Sequence, residues 1–183
     1  MQHRSQRQNL KDLREGRRQA YEAVVCQHYK QIYRFMAYLT GHADLAEDLT
    51  QETFVSAWAS IGNYKGRASL GTWLHRIAYN KFIDSRRKLG RNTTLMAELK
   101  DKKRDAPQTL DPFYQTMADE QSRFLYKAMH RLGSSEYLVI VLHYIQGLSF
   151  RQMAEVLDEP AGTIKWRTNR ALKRLRAFLT GRV

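Results

Sequence analysis

The chain has 183 residues, 43% of them hydrophobic, and its 31 Lys and Arg outnumber 18 Asp and Glu to leave a formal net charge of +13. That apolar share supports packed cores and excludes a disordered basic tail, while the charge asks for a polyanionic partner, either nucleic acid or an anionic membrane surface. No apolar run reaches bilayer-spanning length and the start, MQHRSQRQNL, lacks an apolar signal core, so a cytoplasmic protein without stable membrane insertion is expected.

Residues 1–20 form a basic N-terminal extension that reads as a disordered arm adding non-specific attraction to DNA. The periodicity from there on is helical, with no sustained strand-like alternation. Tyr21, Val24, Val25, His28, Tyr29, Ile32, Tyr33, Met36 and Leu39 outline a first long helix, which Gly41 breaks. Asp44 is placed to cap a second helix, whose apolar stripe runs through Leu45, Leu49, Thr53, Ala57, Trp58 and Ile61. The stretch 62–71 holds three glycines and reads as a loop. A third helix is predicted over about 72–88, with Trp73, Ile77, Phe82 and Ile83 toward a core. Polar, proline-bearing sequence over 91–115 reads as a flexible linker with a short helical stretch near 95–99. Helical patterning resumes through Phe124, Leu125, Ala128, Met129 and Leu132, then through Tyr137, Leu138, Ile140, Val141, Tyr144 and Ile145. The fold class predicted is all-α: two small helical domains, 21–90 and 116–181, joined by that linker.

The tail 147–179 predicts a helix-turn-helix. Ser149 and Gln152 have capping-box spacing, and Phe150, Met153, Ala154 and Leu157 share one face. Pro160 pushes Glu159 out of the helical region and suits the start of the next helix. In that helix Ile164, Ala171, Leu172, Leu175, Phe178 and Leu179 form the inner stripe. After Glu159 the chain has seven Lys or Arg and no acidic residue. A merely solvated surface helix mixes signs, so this one-sidedness points to nucleic acid, read in the major groove.

Two further constellations stand out. Asp44, Glu47, Asp48, Gln51 and Glu52 make an acidic face on the second helix. Like charges four apart repel by a few tenths of a kcal/mol unless a basic partner offsets them; dipole complementarity accounts for the first turn but not for Glu52. In the loop and third helix, Tyr64, Trp73 and Tyr79 interleave with Lys65, Arg67, Arg76, Lys81, Arg86, Arg87 and Lys88 and with Asn63 and Asn80. Bases interleaved with rings suit a single-strand binder. Trp73 reads as a core residue, whereas Tyr64, in a loop, reads as an available ring. Cys26 is the only cysteine and reads as a buried thiol. The six histidines lack ligand spacing, and there is no phosphate loop or nucleophile arrangement, so no metal, no cofactor, no small-molecule substrate and no catalysis are expected.

Taken together, DLAEDLTQETFVSAW (44–58), YKGRASLGTWLHRIAYNKFIDSRRK (64–88) and GLSFRQMAEVLDEPAGTIKWRTNRALKRLR (147–176) resemble the bacterial sigma factors, in particular the two-domain extracytoplasmic-function group. The resemblance implies a protein that binds RNA polymerase core and directs promoter-specific initiation. It assigns Asp44, Glu47, Asp48, Gln51 and Glu52 to the clamp helices of the largest polymerase subunit. It assigns Tyr64, Lys65, Arg67, Arg76, Asn80, Arg86, Arg87 and Lys88 to melted minus-ten DNA, and Thr163, Lys165, Trp166, Arg167, Asn169, Arg170 and Lys173 to duplex minus-thirty-five DNA. An anti-sigma factor is implied as a further partner. The group usually carries a small residue where this chain has Trp166, so its promoter consensus does not transfer. The competing expectation is a stand-alone helix-turn-helix regulator, which needs a ligand pocket or dimer seam in the N-terminal half.

Overall fold

The computed structural model describes residues 11–13, 15–91 and 120–181. The described residues contain helices and turns and no strand. In the first domain α1 spans Arg18–Thr40, α2 Ala43–Ser60 and α3 Leu70–Arg91. In the second, α4 spans Glu120–His130, α5 Ser134–Ile140, α6 Phe150–Leu157 and α7 Ala161–Leu179. The stretch 95–99 lies outside the described residues.

Each helix end has a local cause. Gly41 stops α1 at φ 68°, donating its N–H to Ala37 O, a left-handed terminus that glycine adopts without a Cβ penalty. Helix α2 begins two residues earlier than a cap at Asp44 would set it. His42 occupies the N-cap without a side-chain bond, and its own N–H donates to Thr40 Oγ1 at 3.2 Å. Asp44 therefore lies inside the first turn, where it meets the positive end of the helix dipole. A 3₁₀ turn, Ile61–Asn63, closes α2, and Ser69 Oγ then accepts the Thr72 N–H at 3.1 Å. That serine starts α3 at Leu70, two residues before the pattern placed it.

Packing corrects several inward assignments. In α1 the buried side chains are Val24, Ile32, Phe35, Met36, Ala37 and Tyr38. Cys26, two positions past Val24 and so on the opposite side of the helix, is exposed rather than buried. The stripe of α2 is rotated so that Ala46 and Phe54 go inside while Trp58 remains 39% exposed. In α3, Leu74, His75 and Ala78 are the fully buried positions, and Trp73, Ile77 and Phe82 pack around them. Phe124 and Leu125 are exposed, and Tyr126 takes the inner place on α4. The extension is not wholly an arm: residues 11–13 are helical, Leu13 is buried, and α1 already starts at Arg18.

Helix α5 runs directly into one π turn, Val141–Ile145, an element that no residue pattern announced. It buries Val141 and Leu142 and lets His143 reach the next loop, where its Nδ1 lies 2.7 Å from Leu148 O.

The two domains touch. Tyr137 donates its hydroxyl to Tyr38 O at 2.8 Å, Gln31 donates Nε2 to Gln146 O at 3.4 Å, and α3 packs on α6. A cavity of about 900 Å³ remains between them, lined by Leu13, His28, His75, Gln146 and Leu148 among others.

Candidate polymerase and nucleic-acid interfaces

The acidic face forms as its spacing requires. Asp44, Glu47, Asp48, Gln51 and Glu52 are all exposed on α2. Gln51 Nε2 donates to Glu47 Oε1 at 3.4 Å, and Glu52 pairs with Lys81 of α3 at 3.8 Å. Part of the like-charge repulsion is thus relieved inside the molecule. The face continues into exposed apolar surface at Val55 and Trp58. Periodicity assigned Trp58 inward and so hid this edge. Lys81, Arg87 and Lys88 line the same groove as Asp48 and Glu52. The structure therefore brings Arg87 and Lys88 to the acidic face rather than to the Tyr64 loop.

Tyr64 is not an available ring. It is 6% exposed, its hydroxyl donates to Ala68 O at 2.7 Å, and its ring lies 5.1 Å from that of Trp73. The cause is local. The 3₁₀ turn folds the loop back, with Tyr64 N–H bonded to Ile61 O at 3.1 Å, and the inward hydroxyl finds a carbonyl instead of water. Lys65 and Arg67 stay exposed on the loop, as do Arg76, Asn80 and Arg86 on α3. Arg76 reaches across the domains to Asp158 at 3.7 Å. Burial raises the Tyr79 hydroxyl pKa, the carboxylate of Glu159 adds to the rise, and Arg167 opposes it. The basic side of α3 thus faces the turn of the helix-turn-helix.

That turn is built as read. Ser149 Oγ accepts the Gln152 N–H at 3.3 Å, and Gln152 Oε1 accepts the Ser149 N–H at 2.9 Å. Helix α6 ends at Asp158 in the left-handed region, φ 56°, and Pro160 sits at the N-cap of α7. Helix α7 buries Ile164, Thr168, Ala171 and Leu175. Thr163, Lys165, Trp166, Asn169, Arg170 and Lys173 are exposed.

Two carboxylates organise this helix, and sequence reading missed both roles. Glu159 accepts two bonds from Arg167, at 2.6 and 3.0 Å, a bidentate pair that fixes the guanidinium plane. Glu136, 5% exposed, forms an ion pair with Arg170, whose Nε lies 3.0 Å from its Oε1, and its Oε2 accepts a hydrogen bond from Arg174 Nη1 at 2.7 Å. The Arg170 guanidinium lies over the Trp166 ring, 5.3 Å from its centroid. Glu136 was legible only as a residue three past Gly133, and nothing in its spacing announced partners 34 and 38 positions on. Among the described residues no group of three His, Cys, Asp or Glu is placed to hold a metal ion.

Comparison with known proteins joins these surfaces. Residues 24–92 match the model of sigma-70 region 2, and residues 128–177 match that of sigma-70 region 4. The chain is 30% identical over 184 residues to the ECF RNA polymerase sigma factor SigW of Bacillus subtilis, covering 94% of this chain and 96% of that protein. It is 33% identical over 163 residues to the ECF RNA polymerase sigma factor SigE of Mycolicibacterium smegmatis, covering 87% of this chain and 62% of that one. The sigma factor RpoE of Bartonella quintana, solved in complex with the anti-sigma factor NepR, matches with a TM-score of 0.68 at 25% identity over 87% of this chain and 96% of that one. An acidic helix, a basic third helix and a capped helix-turn-helix, in that order and within those matches, make this chain a member of the extracytoplasmic-function sigma factors of the sigma-70 family.

Proposed function

We propose that the chain binds RNA polymerase core through Asp44, Glu47, Asp48, Gln51 and Glu52, set against the clamp helices of the largest subunit. It then directs promoter-specific initiation without catalysing a reaction itself, acting in the cytoplasm. The domain 21–90 engages core and melted minus-ten DNA, the domain 116–181 reads duplex minus-thirty-five DNA, and 91–115 tethers them. Lys65, Arg67, Arg76, Asn80 and Arg86 contact the melted strand. Arg87 and Lys88 flank the core-binding groove and add charge at its edge. Tyr64 holds the loop in shape and meets a base only when the loop opens. Lys165, Trp166, Asn169 and Arg170 enter the groove, with Thr163 and Lys173 near phosphate and Arg167 shared between Glu159 and phosphate.

The observation that carries this reading is the outward row on α7, which packs Ile164, Ala171 and Leu175 inward. The stand-alone regulator is not favoured, because membership of the sigma family gives the acidic face a use that a regulator lacks. A relative solved with an anti-sigma factor supports such a partner for this chain as well.

The experiment is charge reversal of Asp48 and Glu52 to Arg. Affinity for core should fall by at least tenfold while duplex binding by the second domain persists. Unchanged core affinity would sink the assignment.

The same reading requires the domains to part. By their numbering, the two promoter elements lie about 25 base pairs apart, roughly 85 Å at about 3.4 Å per pair. Helix α7 has 19 residues, or roughly 28 Å of length, and the helix before it, α6, is packed on α3. Both readers cannot engage their elements while α3 and α6 stay packed together.

A further inference from the structure

We propose that Trp166 reads the 5-methyl group of a thymine in the upstream promoter element, and that Arg170, stacked on the Trp166 ring and anchored by Glu136, reads a neighbouring guanine. This rests on the reading above that α7 enters the major groove. The inference belongs to this chain's own side chains at 166 and 170.

The ring is 60% exposed. It therefore does not pack sideways onto its own domain, which removes one of the roles an indole there could have. It is the sixth residue of α7, within the N-terminal part of a recognition helix that meets base edges. Lys165 and Asn169 are exposed beside it. An indole carries no charge for phosphate. It offers an apolar edge and a single N–H donor. Thymine is the base that presents a methyl group and an acceptor, O4, side by side in the major groove.

Arg170 completes the pair. Its guanidinium lies over the ring, and its Nε side faces Glu136, 3.0 Å from Oε1 in an ion pair. The two Nη groups remain as an end-on fork, and a fork of two donors matches O6 and N7 of guanine. Glu136 can hold this geometry because it is itself held. It accepts Gly133 N–H at 3.3 Å and Arg174 at 2.7 Å, in a site excluded from water. Glu136 is a positioning residue: it touches no DNA and sets the angle of the group that does.

The test uses full-length protein with core RNA polymerase. Promoters are first selected from a randomised duplex library by run-off transcription. Uracil then replaces thymine at each position of the selected upstream motif, removing one methyl and nothing else. At one thymine, uracil should weaken holoenzyme binding about fourfold, the factor expected for one buried methyl-sized group. The penalty should vanish in Trp166→Ser and be partly retained in Trp166→Phe. Because the ring is mostly solvated, Trp166→Ser should unfold at an unchanged temperature. Glu136→Gln, which keeps an acceptor for Gly133, should relax the choice of guanine next to that thymine while leaving core affinity unchanged.

Uracil tolerated at every position, or an equal penalty in Trp166→Ser, overturns the inference while promoter-selective transcription still upholds the sigma reading. A holoenzyme with no promoter preference overturns both.

Discussion

A formal charge of +13 overstates what this protein can offer to DNA, because several cations already have partners. Arg167 is held by Glu159, and Arg170 and Arg174 by Glu136. Their contribution to phosphate binding is the difference between two good partners rather than a new ion pair. Lys173 is the contrasting case, an exposed point charge on α7. Lys173→Ala should weaken specific and random duplex alike and lower the slope of log affinity against log salt by about 0.9. Salt titrations on both duplexes check this, and a loss confined to one sequence would make Lys173 a base reader instead. The residue scale is also where sequence reading ran out. Tyr64 and Cys26 exchanged their expected environments, one going inside and the other outside. Burial of a loop ring depends on which carbonyl its hydroxyl finds, and one-dimensional patterning does not contain that.

Helices were more legible than side chains, because their ends are written in local chemistry. Gly41, Ser149 with Gln152, and Pro160 each act within four residues, and each acts where read. Ser149→Ala should destabilise the second domain by about 1 kcal/mol and lower its melting temperature by about 4–8 °C, since it orphans the Gln152 N–H. Thermal unfolding followed by circular dichroism checks the size. Ser69 escaped notice because the glycines around it read as loop, yet it starts α3. The π turn after Ile140 escaped for a different reason. One residue too many in a turn leaves the apolar composition unchanged and alters only the register, so Tyr144 comes out 55% exposed where a regular helix would place it inward. The candidate interfaces followed the same divide. Exposed charged rows at helical spacing were visible in sequence, whereas the anchors Glu136 and Glu159 were not, because their partners are brought to them by tertiary packing.

At the scale of the whole molecule, the contact between domains contains a titratable group. His75 is 1% exposed; its Nδ1 lies 2.7 Å from Gly71 O, and its Nε2 3.4 Å from Gln146 Oε1 of the other domain. Burial lowers its pKa, against which the two hydrogen bonds work, and nearby His28 lowers it further. His28, on α1 and facing the same cavity, is also lowered by its own burial. Both histidines are therefore held neutral. Their contribution to stability is complete above the unfolded-state value of about 6.5 and is lost as pH falls through the lowered values. The unfolding temperature should drop between about pH 7 and pH 5, and His75→Gln should flatten that drop. A drop of the same size in the variant would place its origin elsewhere. The packing of α3 on α6 between the domains has a different kind of consequence. On the proposed reading, promoter affinity is the intrinsic affinity multiplied by the fraction of molecules whose domains have parted. Any substitution that tightens the α3–α6 seam therefore makes a more heat-resistant and less active protein, so variants selected for robustness alone will drift toward silence.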